Sequence, residues 1–408
     1  MASEWKTDLL GNLCLMKNGY AFKSKDFVSQ GIPVIKIKNV KPNRILVDDL
    51  SYVPADVAEQ RKKWLIEKGE ILLTMTGNRA DGSPESWVGK AAIFNESTPY
   101  LLNQRVSALK AKDEAVIDTN YLGYYLSSWQ TQLYFIKRAN SSGGQANISP
   151  EIVMNMPVHY PPLATQRKIV SILATLDQKI KTNTAINDNL QEQAQTLFAE
   201  WFCLHNGDSI PDGWSLITLG DVAVISNKSF NPLKQPETML EHYSIPAFDE
   251  TRYPVFELST EIKSNKFIVD ADCFMISKLN PTTKRVWRPY CMTENAVCST
   301  EFIVYKAKDR QLTDFLYSLI DSASFSDFMC SHVTGSTGSR QRTTPSDTLQ
   351  YQFYMPTAEE IADFSAVVAP MYAQIRINAL ENARLKGLRD SLLPRLMSGE
   401  INVSDIDI

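Results

Sequence analysis

Two stretches of the chain place apolar residues in steps of three and four over 29 residues each: LATLDQKIKTNTAINDNLQEQAQTLFAEW (Leu173–Trp201) and VAPMYAQIRINALENARLKGLRDSLLPRL (Val368–Leu396). That spacing lines one seam of a long helix. At an offset of 195 residues, Leu173, Leu176, Ile180, Leu190 and Leu197 fall on Val368, Met371, Ile375, Leu385 and Leu392. Both seams turn polar at the centre, where Asn183 and Asn187 fall on Asn378 and Asn382. From Leu163 to Phe202 such a helix would reach about 60 Å at 1.5 Å per residue. A stripe of that length needs an equally long partner, and the other copy supplies it. Antiparallel pairing about the helix centres sets Asn183 against Asn382 and Asn187 against Asn378. Mismatched registers would leave buried amides unpaired, at about 1–3 kcal/mol each, so the asparagines are expected to fix register. Two residues fit this seam poorly. Arg389 stands where the first copy has Ala194, and its charge is expected to reach water past a packed stem. Pro370, which falls on Thr175, is expected to kink or delay the second helix.

Between the helices the pattern changes to short alternating runs. IPVIKIKNV (Ile32–Val40) predicts a strand with Lys36 and Lys38 on one face. EKGEILLTMTG (Glu67–Gly77) predicts a turn and a buried strand, matched by VDADCFMISKL (Val269–Leu279). TNYLGYYLSSWQTQLYFIKR (Thr119–Arg138) predicts one helix with an aromatic face, matched by LTDFLYSLIDSASFSDFM. Further correspondences join the halves. Trp5 and Gly11 match Trp214 and Gly220, KAK at Lys110–Lys112 recurs at Lys306–Lys308, and NSSGGQANISP (Asn140–Pro150) answers GSTGSRQRTTP (Gly335–Pro345). The expected architecture is therefore α+β. Two similar strand-rich portions, residues 1–160 and 206–355, alternate with two long antiparallel coiled-coil helices, residues 161–205 and 356–408, in a pseudo-two-fold arrangement. Such an arrangement could grip two sites at a fixed separation, and duplex DNA, itself two-fold, is the natural target.

Composition narrows the classes. The 408 residues are 44% hydrophobic and 22% charged, ordinary for a globular protein. No apolar run approaches the ~20 residues of a membrane span, and no signal peptide is visible, so a cytoplasmic, membrane-free protein is expected. Net charge is −4, which disfavours coating nucleic acid by charge alone but leaves room for a basic groove. Six cysteines and four histidines are scattered without a CxxC pair, so no metal is expected. No GxxxxGK[ST] loop or NPPY-type tetrapeptide occurs, and no catalytic residue is assigned.

Three stretches carry a family resemblance: SSGGQANIS ahead of the first long helix, PPLATQRKIVSILATLDQKI (Pro161–Ile180) at its opening, and SLLPRLMSGEI (Ser391–Ile401) at the close of the second. In them the chain resembles the specificity subunits of type I restriction-modification systems. The family opens its first spacer helix on PPL-x-EQ-x-x-I, and Thr165-Gln166 stands here where Glu-Gln is usual. SLLPRLMSGEI resembles its close, and SSGGQANIS fits the end of a target recognition domain; the second copy opens with Glu359-Glu360-Ile361. The resemblance implies a non-catalytic subunit of a multi-subunit adenine methyltransferase and endonuclease. Each target recognition domain would read one half of a bipartite site. The helices would set the spacer and dock two modification subunits. No cofactor is expected on this chain; S-adenosylmethionine, ATP and Mg would serve the modification and restriction subunits. A type IIB-like recognition subunit and a coiled-coil scaffold that never touches DNA are the alternatives.

Base reading needs side chains that donate and accept in a groove, chiefly Arg, Lys, Asn and Gln. The polar loops of the first half offer Tyr20, Lys23, Asn78, Arg79, Lys90, Arg138, Gln145 and Asn147 as DNA contacts. The second half offers Lys278, Lys284, Arg285, Arg288, Arg340, Gln341 and Arg342. The unlike loops of the two halves predict an asymmetric site.

Overall fold

The computed structural model describes residues 5–47, 49–78, 86–142, 144–204, 207–335 and 341–403. They form two compact units, Met1–Gln178 with Leu385–Ile408, and Lys179–Arg384. Each unit takes a strand-rich portion and a segment of both long helices, which run Leu163–Phe202 and Ala358–Met397.

The first unit holds two four-stranded sheets. In one, the buried strand Ile71–Thr74 lies between Ala91–Ile93 and Val106–Ala111, with Cys14–Asn18 outside the latter. In the other, Ile32–Ile35 pairs in parallel with Tyr100–Leu102 and antiparallel with Ser51–Val53, and Leu65–Ile66 completes the row. The second unit repeats both orders. Cys273–Ser277 lies between Val286–Trp287 and Phe302–Ala307, with Ala223–Ile225 outside. Met239–Tyr243 pairs in parallel with Ala296–Ser299 and antiparallel with Val255–Leu258. A two-stranded ribbon recurs too, Lys6–Leu9 with Pro157–Tyr160 and Ser215–Thr218 with Gln352–Met355. The α+β class and the duplication legible in sequence are thus present at the level of strand order.

The aromatic helix differs from expectation. Thr119–Ser127 and Trp129–Arg138 are two helices, broken at Ser128, whose backbone is extended and whose hydroxyl caps the second. Ser322 does the same between Thr313–Asp321 and Ala323–Ser331. A serine hydroxyl that satisfies a free amide of a new helix competes with continuation of the old one. We expect Ser128→Ala to lower stability by about 1 kcal/mol, read from the urea midpoint.

Ile32–Val40 is likewise shorter as a strand than expected. It ends at Ile35, and Ile37–Asn39 is a 3-10 turn. Buried Asn39 closes that turn: its side-chain oxygen accepts from the Lys36 amide, and its Nδ2 donates to the Leu46 and Asp49 carbonyls. Lys36 therefore lies over the Phe27 ring while Lys38 pairs with Asp49, and they share no strand face.

In the first unit, Ile169 and Leu173 pack with Leu393, Leu396 and Met397 into the domain core. Gln166, fully buried, anchors the start of the first long helix. Its Nε2 donates to the carbonyls of Val116 and Pro161, and its Oε1 accepts from the Asp118 amide. Arg389 does not reach water as expected. Its side chain is 15% exposed and is held by Asp177 at 2.7 Å and by Asp390, while Tyr124 donates to the other Asp177 oxygen. A guanidinium met by two carboxylates needs no solvent.

In the second unit, Ala194, Phe198 and Phe202 pack with Ile361, Phe364, Val368 and Tyr372. The seam asparagines meet as two pairs. Asn183 Nδ2 donates to Asn382 Oδ1 at 3.0 Å, and Asn378 Nδ2 donates to Asn187 Oδ1 at 2.8 Å. Asn183 Nδ2 also donates to Glu381, and Asn187 Nδ2 to the Ile375 carbonyl. Pro370 neither delays nor interrupts its helix, which begins at Ala358. It stands on the exposed face, where water can serve the carbonyl that its missing N–H leaves free. Thr357 and Glu360 form a reciprocal cap at that helix's start, and Glu360 also accepts from Trp214 Nε1.

Candidate nucleic-acid interface

At one end of the buried strand in each unit, three polar segments converge through the same backbone hydrogen bonds. In the first unit the Met75 amide donates to the Arg105 carbonyl, the Ile148 amide to the Met75 carbonyl, and the Thr74 amide to the Lys90 carbonyl. In the second, Lys278 donates to Glu301, Thr343 to Lys278, and Ser277 to Arg285. These contacts equate Met75 with Lys278, Arg105 with Glu301, and Lys90 with Arg285. The bridges Asn147–Thr76 and Arg342–Leu279 complete the match. The cluster is thus the loop after the buried strand, the turn before the next, and a hairpin from distant sequence.

Several of the sequence-selected residues meet here. Thr76 donates its hydroxyl to Asn147 Oδ1 at 2.8 Å, and Gln145 is exposed two residues away on the same strand. Asn78 joins Ser86 through backbone and side chain. Tyr20 is brought beside the cluster by its bridge to Asn103. The preceding Gly19 makes this possible, since a Cβ there would lie 2.0 Å from the Asn103 carbonyl oxygen. Lys23 and Arg138 are exposed, the latter over the Tyr134 ring at 3.7 Å. Arg79 and Arg340 lie outside the described residues.

Other selected residues are committed elsewhere. Lys90 is only 2% exposed, with its amide donating to Thr74 Oγ1, and it presents no free ammonium to a duplex. In the second unit carboxylates meet the cations. Lys284 pairs with buried Asp321 at 2.8 Å, Arg285 with Asp249 through two bonds of 2.5 and 2.9 Å, and Arg288 with Asp314. Burial pushes the Asp321 carboxyl above its ordinary range, and Lys284 pulls it back. Arg285 is 12% exposed on its side chain, so it serves as a brace. Arg342 makes a bidentate pair with Glu301 at 2.9 and 3.0 Å, and that hydrogen bonding holds its guanidinium charged. It keeps 41% side-chain exposure on the surface of the cluster, and the backbone of neighbouring Gln341 accepts from the Asn280 amide. Lys278, half-buried, contributes backbone to the same junction.

Sequence reasoning passed over Arg61, Lys63, Trp64 and Arg105. Arg61 lies over the Tyr20 ring at 4.6 Å and Lys63 over Trp64 at 4.1 Å. The consecutive RKKW at 61–64 was the available signal. Among the described residues no group of three His, Cys, Asp or Glu is placed to hold a metal ion, and no helix is long and apolar enough to cross a membrane.

Comparison with known proteins bears on this geometry. Residues 2–192 match the family model described as the type I restriction modification DNA specificity domain. The chain is 24% identical to the type I restriction enzyme HindI specificity subunit of Haemophilus influenzae, over 98% of this chain and 100% of that one. It is also 24% identical to the MjaIX specificity subunit of Methanocaldococcus jannaschii, over 84% of this chain and 80% of the relative. Among solved structures, the type I restriction-modification S subunit from M. genitalium superimposes with a TM-score of 0.56 at 14% identity, covering 97% and 96% of the two chains.

Proposed function

From a chain that is similar to type I specificity subunits along its length, and that matches their DNA specificity domain in residues 2–192, we propose a non-catalytic DNA specificity subunit. Each strand-rich portion reads one half of a bipartite, asymmetric duplex site. The long helices set the unread spacer and dock two modification subunits, which methylate adenine with S-adenosylmethionine. Restriction subunits drawing on ATP and Mg complete the assembly in the cytoplasm.

One observation carries the reading. The two units build the same loop cluster from the same backbone bonds, yet equivalent positions hold unlike side chains. Thr76, Asn147 and Arg105 of the first answer to Leu279, Arg342 and Glu301 of the second. A duplicated scaffold with divergent tips supports two readers of two different short sequences, since a donor–acceptor pattern in the major groove identifies each base pair. Equal tips would favour a palindrome.

The test is methylome sequencing of cells carrying the chain with its modification subunits, paired with binding of the assembled complex to matched and scrambled duplexes. We expect one bipartite motif to be methylated and the matched duplex to bind tighter by about 10³-fold or more. Equal affinity for both duplexes, with no methylated motif, would sink the proposal. Asn147→Ala is expected to relax one base position in one half of the motif, by about 1–3 kcal/mol of discrimination, leaving the other half unchanged.

A further inference from the structure

The two units differ in how their cations are used. Residues 1–160 carry 19 Lys and Arg against 16 Asp and Glu, whereas residues 206–355 carry 14 against 18. In the second unit, the selected cations Lys284, Arg285, Arg288 and Arg342 are each met by a carboxylate. In the first unit a ridge of stacked cations adjoins the reading loops. Tyr20 packs on Trp64 with ring centroids 4.6 Å apart, Arg61 covers Tyr20, and Lys63 covers Trp64. Tyr20 in turn bridges Asn103, two residues before exposed Arg105.

None of Arg61, Lys63 and Arg105 forms an ion pair among the described residues. Arg61 donates only to its neighbour Gln60, through Nη1 at 3.3 and 3.4 Å, and its Nε is buried without a partner. Stacking on an aromatic face orients a cation without neutralising it. The register of the second unit puts Lys266 at the place of Lys63, because Leu65–Leu101 corresponds to Ile268–Val297 across the equivalent strands. Lys266 is 5% exposed and spends its ammonium on Ser264. The ridge therefore belongs to the first unit alone.

We propose that Arg61, Lys63 and Arg105 form a sequence-independent anchor for the phosphate backbone beside the first half-site. The first unit would then supply more of the salt-dependent affinity than the second. This rests on the DNA-binding reading above. Phosphates suit the ridge because cations that stacking orients and no carboxylate neutralises can hold charge and register without reading bases. Each phosphate neutralised releases counterions, so each contact is visible in the salt dependence of binding.

The experiment uses the full chain assembled with its modification subunits and measures affinity for matched and scrambled duplexes between 50 and 200 mM salt, on the order used for such slopes. For the double variant Arg61→Ala with Lys63→Ala, the slope of log K against log salt should flatten by about 1.8. Affinity should fall by the same factor on both duplexes, with the methylated motif unchanged. Exposed Lys63→Ala alone should flatten the slope by about 0.9 without threatening the fold. Arg310→Ala, an exposed cation of the second unit paired with Asp272, should leave it unchanged. An unaltered slope in both ridge variants, with specific binding intact, would overturn the anchor while leaving the function standing. Altered base preference would also overturn it, by making the ridge a reader. Absence of any matched-duplex binding in the parent would instead remove the functional reading itself.

Discussion

Phe364→Ala is expected to cost about 3–5 kcal/mol, a large loss for one substitution in the second unit's helix segments. Phe364 is fully buried, and its ring lies 5.1 Å from Phe202 and 5.9 Å from both Phe198 and Trp201. It thus joins the second long helix to the first where both meet the strand-rich core. Three aromatic neighbours cannot collapse into the space left by a missing ring as flexible side chains might collapse elsewhere, so both lost transfer energy and cavity count against the variant. Phe364→Leu keeps most of the volume and should cost under about 2 kcal/mol. Trp201 and Trp214, both part of this region, make tryptophan fluorescence during urea unfolding a local readout. A cost below about 1 kcal/mol for the alanine variant would mean that the aromatic cluster is not what closes the helices onto the second unit.

What could be read from sequence followed the range of the interaction. The long helices were legible because a seam repeats its own evidence every three or four residues, from Leu173 onward and again from Val368. The duplication was legible through Trp5 with Trp214 and through the two buried strands. Breaks inside regular patterns were harder. Aromatic periodicity runs across Ser127-Ser128, and only the capping hydroxyl ends one helix and starts another. The turn at Ile37–Asn39 keeps apolar alternation while Asn39 recruits carbonyls seven and ten residues away. At the candidate interface, residue type pointed to loops that the fold gathers into one cluster, but not to how each side chain there is employed. Lys284 looks free in sequence until Asp321, 37 residues later, folds against it. Arg342 looks free until Glu301 does the same. Arg61 shows the reverse error: a basic run before a tryptophan reads as surface charge until Tyr20 arrives beneath it.

The asparagine pairs provide the sharpest test of the helices as a measuring device. Asn378 is 4% exposed, donates to Asn187 and accepts from Gln374. Asn378→Leu should therefore lower stability by about 1–3 kcal/mol, because Asn187 Oδ1 loses its donor while remaining in the seam. Asn187→Leu should cost a similar amount by stranding Asn378. Replacing both removes the orphaned groups and extends the apolar seam, so the double variant should recover to parental stability or beyond, with a coupling energy of about 1–3 kcal/mol. Stability is only half of the expected result. Pairing amides favour the register that unites them, whereas leucine tolerates a slide along the seam. If the helices set the spacer, the assembled complex carrying Asn187→Leu with Asn378→Leu should methylate motifs of more than one spacer length, where the parent methylates one. The half-site sequences themselves should not change, since no loop of either cluster is altered. A double variant that is as stable as the parent and still methylates a single spacer would show that Asn187 and Asn378 do not fix the register, which packing and the remaining Asn183–Asn382 pair would then hold.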